Sequence, residues 1–205
     1  LIPTLNDYIA KGSVDAANVL MKAFQAGKEG YFADVTHFTV PECVTDIPTD
    51  TFGGCKNLIA VALPDGLKRI GPFAFECTGL SSIKIPTSVN KIGKSAFEGC
   101  ESLTDVVLPD GLTEIEDNVF ACCTGLSSIT IPKGVIKIGQ RAFMDLLNLS
   151  RVILPIGVKT IHADAFEGCD SLQEILVPAH KTDYYKKRLP SELWDKIVEL
   201  DNSKK

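Results

Sequence analysis

Residues 85–108, IPTSVNKIGKSAFEGCESLTDVVL, are one unit of a pattern that recurs along most of the 205-residue chain. Two residue types mark its period: the prolines Pro41, Pro64, Pro86, Pro109, Pro132, Pro155 and Pro178, and the phenylalanines Phe52, Phe75, Phe97, Phe120, Phe143 and Phe166. Successive members are 23 residues apart, with one interval of 22. Such a period indicates a solenoid, in which each coil buries its apolar residues only against neighbouring coils.

The one short interval has a local origin. Phe75 and Leu80 are five residues apart, whereas the equivalent step from Phe97 to Leu103 is six. One residue is therefore missing from that turn.

The aligned repeats give the consensus Leu-x-x-φ-x-φ-Pro-x-x-φ-x-x-Ile-Gly-x-x-Ala-Phe-x-Gly-Cys-x-x, in which φ is apolar. The φ-x-φ pairs alternate with period two and are mostly β-branched, which is typical of strands. These pairs are Phe38/Val40, Val61/Leu63, Ile83/Ile85, Val106/Leu108, Ile129/Ile131, Val152/Leu154 and Ile175/Val177. They predict a stacked parallel sheet with one face inward.

Turn chemistry sets where each of these strands ends. Steps such as Pro64-Asp65-Gly66 preset the backbone dihedral angle φ at the proline and allow a tight reversal of the chain. After the turn, apolar pairs such as Val89 and Ile92 predict a second short strand. The Ala-Phe pairs that follow predict a column of phenylalanine rings, stacked coil on coil, along the core.

The two ends of the chain lack the repeat, and both predict helical caps over the exposed ends of the solenoid. Thr4, Asp7 and Ser13 resemble helix N-termini; an N-terminal hairpin that binds a partner is the alternative. Near the C-terminus, two capped amphipathic helices are expected, over residues 182–189 and 191–198. The predicted organisation is an N-terminal cap (1–35), repeats (36–178), and a C-terminal cap with tail (179–205).

Charge and hydropathy argue against a nucleic-acid partner and against a membrane-spanning segment. The net charge is −5, the pI is near 5.2, and no basic run exceeds residues 186–188, so nucleic acid is not an expected partner. No apolar stretch reaches about 18 residues, so no membrane span is expected. The chain begins at Leu1 without a leader-like segment, so a trimmed mature fragment is expected, with any targeting sequence outside it.

The phrase Ile-Gly-x-x-Ala-Phe-x-Gly-Cys, at residues 92–100 and preceded by Ile85-Pro86, resembles the BspA-like class of leucine-rich repeats. The resemblance covers residues 36–178, and residues 184–190 also look like the C-terminal ends of such bacterial proteins. It implies an α/β repeat solenoid, a coil stack with a parallel concave sheet of about six to seven repeats and helical caps at both ends. Leu146 replaces the cysteine and Glu116 the glycine in two repeats, and neither change threatens that fold.

The family resemblance also implies where such a protein works. Members are found mainly in surface or secreted proteins of host-associated bacteria, including spirochaetes and gut anaerobes, and in some protists. They are implicated in adhesion to host matrix proteins or to other cells. A cell-surface or secreted location is therefore expected from the resemblance, although no adhesion motif carries over residue by residue.

The cysteines follow the repeat. Cys55, Cys77, Cys100, Cys123 and Cys169 are assigned to one slot, which predicts a column spaced by about one strand separation, roughly 5 Å. That spacing leaves disulfides geometrically possible, but the slot also accepts Leu146, so buried free thiols are favoured. Cys43 and Cys122 lie at slots usually held by glycine or serine and are expected to be exposed. A reactive thiol at one of these two positions is therefore an open alternative.

No catalytic, metal or cofactor site emerges from the sequence. His37, His162 and His180 sit at different phases of the repeat, with no repeated acid or nucleophile beside them. There is no Cys-x-x-Cys pair, and the cysteine column contains no histidine. Acidic residues such as Glu98 and Glu167 recur at polar turns, which indicates a solvated face.

The outward face of the main sheet is the candidate binding surface. Two rows project from it: Ala60, Ser82, Asp105, Ser128, Arg151 and Glu174, and beside them Ala62, Lys84, Val107, Thr130, Ile153 and Leu176. The second row is partly apolar and is rimmed by Asp105, Arg151 and Glu174, the composition of a protein-binding patch. Strand propensity alone would also explain its β-branched residues.

Together these features predict a non-enzymatic module that binds a protein or extended peptide, for example a host matrix protein. The alternative from another class is a structural spacer or cell-envelope scaffold without a selective ligand. An enzyme or thiol sensor would require a reactive Cys43 or Cys122.

Overall fold

The longer strands of the repeats stack side by side, all in parallel, into the main sheet of a computed structural model that describes residues 35–200. These strands are β1 (His37–Thr39), β3 (Ala60–Ala62), β5 (Ser82–Lys84), β7 (Asp105–Val107), β9 (Ser128–Thr130), β11 (Arg151–Ile153), β13 (Glu174–Val177) and β14 (Ile197–Glu199). The residues that point into the core from the first seven of these strands are Phe38, Val61, Ile83, Val106, Ile129, Val152 and Ile175, which confirms the predicted sheet with one inward face; in β14, Val198 is exposed.

Hydrogen bonding along the main sheet is interrupted. Ladders join β1 to β3, β5 to β7, and β9 through β11 and β13 to β14. Between residues 35 and 200 no ladder links β3 to β5 or β7 to β9, although these strands lie side by side.

Two-residue strands form a second sheet on another side of the coils, as the sequence predicts, in two three-stranded halves with no ladder, among the described residues, between its third and fourth strands. They are β2 (Asp46–Ile47), β4 (Arg69–Ile70), β6 (Lys91–Ile92), β8 (Glu114–Ile115), β10 (Lys137–Ile138) and β12 (Thr160–Ile161). Each isoleucine is buried and each preceding residue faces outward. The second sheet therefore adds one core side chain per coil.

The phenylalanine column runs through the core as expected. From Phe52 to Phe166, successive ring centroids are 5.1–5.9 Å apart and the ring planes differ by 2–10°. All six rings are at most 5% exposed. Because each ring packs between the rings of neighbouring coils, the column ties every repeat to the next.

A third side of each coil has no strand and is held by backbone hydrogen bonds between coils. The Phe75 N–H donates to the Ala96 carbonyl at 2.8 Å, and the Phe97 N–H donates to the Val119 carbonyl at 2.9 Å. Five coils have two residues with positive φ there and the last coil has one; the set is Asp50, Phe73, Ser95, Asn118 and Arg141, and Gly54, Cys77, Gly99, Cys122, Asp145 and Gly168. This conformation costs a non-glycine residue about 1–2 kcal/mol, which the inter-coil bonds offset.

The proline turns close as predicted, with a hydrogen bond from the residue three positions on. The Val135 N–H donates to the Pro132 carbonyl at 3.1 Å. Gly134 is required by space, since a Cβ there would lie 2.7 Å from the Leu112 carbonyl oxygen of the preceding coil.

The C-terminal segment packs against the last coils through helix α1 (Thr182–Lys186). Tyr185 is fully buried and its hydroxyl donates to the Pro155 carbonyl, while the Tyr184 hydroxyl donates to the Val158 carbonyl at 2.8 Å. Burial raises the pKa of Tyr185 to about 12. The segment thus closes the end of the stack by docking aromatic side chains on it.

The predicted second helix over residues 191–198 is wrong. Residues Ser191–Lys196 form a 3₁₀ helix, and Ile197–Glu199 form β14, which pairs in parallel with β13. The open edge of β13 offers backbone partners that outweigh the local helical pattern, and β-branched Ile197 and Val198 suit a strand. The predicted N-terminal cap, residues 1–35, lies outside the described residues except for Val35.

Replacing Phe97 with alanine should remove about 3–5 kcal/mol from the free energy of unfolding, because it leaves a cavity inside the ring column. Phe73→Ala is the matched control, since Phe73 is half-buried and stands outside the column. Urea unfolding followed by circular dichroism measures both. Equal losses in the two variants would contradict a stacking role for the column.

Glu199 should make the C-terminal segment sensitive to acid. Hydrogen bonds from the His180 and Thr182 backbones and the Thr182 hydroxyl lower the pKa of Glu199 to about 2, against an ordinary 4.5. The ionised form is thus favoured in the folded state, so its stabilising effect is complete above about pH 4.5 and lost as pH falls towards 2. Thermal melts should show Glu199→Gln less stable than wild type at pH 7, with the difference closing at low pH; a pH-independent difference would contradict this.

Candidate functional site

The outward side chains of the main sheet form the candidate site, here named the main-sheet face. Strand register aligns the members of each predicted row: Ser82 lies beside Asp105 in the first row, and Lys84 lies beside Val107 in the second. The first row holds Ala60, Ser82, Asp105, Ser128, Arg151 and Glu174, and the second row holds Ala62, Lys84, Val107, Thr130, Ile153 and Leu176.

The second row is apolar towards the C-terminal end. Ile153 lies between Thr130 and Leu176 in register, and both apolar side chains are half-buried. Val107 is 67% exposed and stands on β7, across the interruption from Thr130. The structure therefore gives a continuous apolar segment on β11 and β13, with Val107 set apart at the edge of the β5–β7 ladder.

The sequence analysis missed Val198, which extends this row. Val198 pairs with Leu176 in register and is 42% exposed. It follows Leu176 by 22 residues, close to the repeat period, and that spacing could have identified it. The helical pattern of residues 191–198 obscured the signal.

The first row supplies polar groups along one side of the apolar row. The Arg151 Nη2 lies 2.8 Å from the Glu174 Oε2, and the Arg151 Nε donates to the same oxygen at 2.9 Å. Both side chains are partly exposed, so this pair adds little stability. Its consequence is positional, because it fixes two opposite charges next to Ile153 and Leu176.

The outer face of the second sheet differs, because its charged side chains pair between neighbouring coils. The pairs are Arg69 with Asp46, Lys91 with Glu116 at 3.1 Å, and Lys137 with Glu114 at 2.5 Å. On the third side of the coils, Arg141 pairs in the same way with Asp164 at 3.7 Å. Glu116, which replaces the repeat glycine, also accepts the Lys94 N–H at 2.9 Å. This face is a ladder of matched charges with no exposed large apolar side chain on its strands.

The pKa values of two of these groups are shifted by their neighbours. A hydrogen bond from Thr45, followed by the bond and charge of Arg69, lowers the pKa of Asp46 despite a contrary effect of burial. The Glu114 carboxylate raises the pKa of Lys137. Both shifts keep the partners ionised near neutral pH.

The assignment of Cys77 to the buried cysteine column is wrong. Thr78 takes that slot: its N–H donates to the Phe75 carbonyl as the Cys100 N–H donates to the Phe97 carbonyl. Cys77 is exposed. The missing residue of this coil follows Thr78, so counting back from Leu80 misplaces the cysteine by one position.

Cys77 instead shares the positive-φ slot of Cys122, with φ of 52° and 59°. Cys122 and Cys43, predicted to be exposed, are half-buried. Burial and then the nearby Glu76 carboxylate raise the pKa of the Cys77 thiol. Cys77 is therefore the most accessible thiol, but its surroundings do not activate it.

All seven cysteines are free thiols, as the sequence favours for the five assigned to the column, and Cys55, predicted to be buried, is half-buried. The three buried thiols donate to phenylalanine carbonyls of the preceding coil at 3.0 Å: Cys100 to Phe75, Cys123 to Phe97 and Cys169 to Phe143. Burial raises the pKa of Cys169 to about 11. These thiols act as small core side chains that also bond across coils.

The three histidines are held by different local contacts. His162 contacts Asp164, His37 contacts Thr36, and the His180 backbone bonds to Glu199. In the part of the chain that the structure describes, no group of three or more His, Cys, Asp or Glu side chains is arranged to hold a metal ion. Over the same residues, no helix has the length and apolar character needed to cross a membrane.

Sequence comparison identifies a family. The chain matches the BspA type leucine-rich repeat region in six copies, over residues 30–147 and 113–189. No curated protein sequence matches the chain.

Two crystal structures are similar to this chain. A leucine-rich repeat protein from Eubacterium ventriosum is 24% identical, with a TM-score of 0.65, and the match covers 83% of this chain and 46% of that one. The T. pallidum leucine-rich repeat protein is 30% identical, with a TM-score of 0.50, and the match covers 70% of this chain and 59% of that one. The chain thus spans about half the length of these proteins.

Cys77 should react with a thiol reagent before any other cysteine of the native protein, because it alone among the seven is exposed. Its rate should rise with pH, since the thiolate is the nucleophile. Mass spectrometry of the labelled protein measures this, with Cys77→Ser expected to abolish the fast phase and Cys122→Ser to leave it. Labelling of Cys123 as fast as Cys77 would contradict the assignment of these slots.

Proposed function

The chain belongs to the BspA type leucine-rich repeat family, and from that premise we propose that its main-sheet face binds a protein or extended peptide. The module itself is non-enzymatic. One observation carries the proposal: Val107, Ile153, Leu176 and Val198 place apolar surface on this face, whereas the charged side chains that the second sheet turns outward pair with each other.

The chemistry of the face suits a polypeptide partner. An apolar row rimmed by charged and polar side chains is the composition of protein interfaces, in which apolar contacts give affinity and the rim gives orientation. Ile153 and Leu176 would supply the centre of such a contact, and the Arg151–Glu174 pair its polar edge. An extended chain laid along the row could contact several coils at once.

The biological setting follows from the family. We propose bacterial surface-associated adhesion, at the cell surface or as a secreted protein, with a host protein such as a matrix component as partner. The support is family membership and the resemblance of the repeat to surface proteins of host-associated bacteria.

A structural spacer is the second candidate, and the ion pairs between coils favour it. The unbroken ring column would hold a rod in shape without any ligand, and the cross-coil ion pairs of the second sheet would keep neighbouring coils in register. That function would not need the exposed apolar row of the main-sheet face.

Val107→Asp combined with Ile153→Asp should weaken partner binding by at least about tenfold, roughly 1.4 kcal/mol, because it places two charges in the apolar row. The measurement is capture from host matrix and cell-envelope extracts, followed by a titration of the isolated partner. Circular dichroism first checks that the variant is folded.

The matched control is Ile136→Asp combined with Ile156→Asp. These isoleucines are 47% and 63% exposed but lie outside the strands of the main sheet. Binding that survives the main-sheet substitutions, or that falls equally in both variants, would contradict the proposed surface. Capture of no partner by wild type would favour the spacer.

A further inference from the structure

A groove separate from the main-sheet face lies where the C-terminal segment meets the last complete coil. Its volume is about 540 Å³, and it opens between residues 163–170 and the 3₁₀ helix Ser191–Lys196. Pro190 is half-buried at its edge, and Phe166 and Leu193, which are 5% and 8% exposed, add small apolar areas. Phe166 is the last ring of the phenylalanine column. The groove exists because Pro190 and the 3₁₀ helix, and not another repeat, follow this coil.

The charge of the groove is one-sided. It is lined by the carboxylates of Asp164, Glu167, Asp170 and Glu192, against one ammonium group, that of Lys196. Asp164 is already paired with Arg141 and bonded to His162 and Gln140.

The other three carboxylates differ from those of the second sheet. Within residues 35–200, Glu167, Asp170 and Glu192 have no lysine or arginine nitrogen within 4.0 Å. The Lys196 ammonium donates instead to the Leu172 carbonyl at 2.6 Å. Three carboxylates around the groove thus remain without an ion-pair partner among the described residues.

We propose that this groove binds an arginine or lysine side chain of a partner polypeptide, with an apolar residue beside it. The aliphatic stem of such a side chain would pack on Pro190 and on the exposed edges of Phe166 and Leu193, and its cationic end would meet the carboxylates of Glu167, Asp170 and Glu192. Guanidinium donors form paired hydrogen bonds with carboxylates, which favours arginine over lysine. Apolar walls strengthen the attraction by limiting the screening of the charges.

The site is independent of the main-sheet face, since its residues lie on the third side of the coil and in the C-terminal segment. A basic contact here would add a second point of attachment at the end of the solenoid. Failure of one site would therefore leave the other unaffected.

The test is an NMR titration of isotope-labelled full chain with an N-acetylated, C-amidated pentapeptide that carries one arginine between two leucines. The same peptide with glutamine in place of arginine is the control ligand. We expect the arginine peptide alone to shift the amide resonances of residues 166–170 and 192–196, with affinity that falls as salt is added.

The variant is Glu167→Gln, Asp170→Asn and Glu192→Gln together, which removes the charges and keeps the shape. The control variant is Glu98→Gln with Glu101→Gln, which changes the same repeat positions in a coil far from the groove. The first should weaken arginine-peptide binding about tenfold, and the second should leave it unchanged.

Equal binding of both peptides, equal binding by both variants, or the absence of shifts in the groove would overturn the proposal. The variant with Lys204→Gln and Lys205→Gln should leave the groove resonances unchanged when no peptide is present. A change would also overturn the proposal, because the basic tail of this chain would then be the occupant. Concentration-dependent shifts without peptide would identify a second copy of the chain and would also overturn it.

Discussion

Stacking of identical side chains between coils is the constraint on which the rest of this structure depends. No coil has a core of its own, so the Phe52–Phe166 column and the buried isoleucines must repeat at a fixed spacing. Thiol-to-carbonyl bonds, such as Cys123 to Phe97, and backbone bonds on the third side follow the same spacing. Because every inward position is used for stacking, only the outward positions are free to vary for function.

Period and alternation were sufficient to predict both sheets, the ring column and the two outward rows, since each depends on contacts that recur in every coil. Errors arose where the repeat is broken. The coil of Cys77 is one residue shorter than the others, and the sequence alone does not show where that residue is missing. The bond from the Thr78 N–H to the Phe75 carbonyl places the deletion after Thr78. At the C-terminus, Ile197–Glu199 became a strand because β13 offered an unpaired edge, a tertiary effect that local helical periodicity does not contain.

The candidate site was predictable in composition and less so in continuity. The sequence places Val107, Ile153 and Leu176 in one row, but the break in the ladder between β7 and β9 and the addition of Val198 depend on backbone geometry. The contrast between the two outer faces also needed the structure, because ion pairs such as Lys91 with Glu116 join residues 25 positions apart. The acidic groove depends on the 3₁₀ helix after Pro190, which the sequence analysis read as part of a longer helix.

The most direct test of the main-sheet face as a binding surface is site-specific photo-crosslinking. A photoreactive residue in place of Thr130, which lies between Val107 and Ile153 in the second row, should attach covalently to a partner from matrix or cell-envelope extracts. The same residue in place of Ile136, which lies off the strands of this sheet, should not. Crosslinked product from Thr130 alone is the predicted result, whereas no product, or the same product from both positions, would contradict binding through this face.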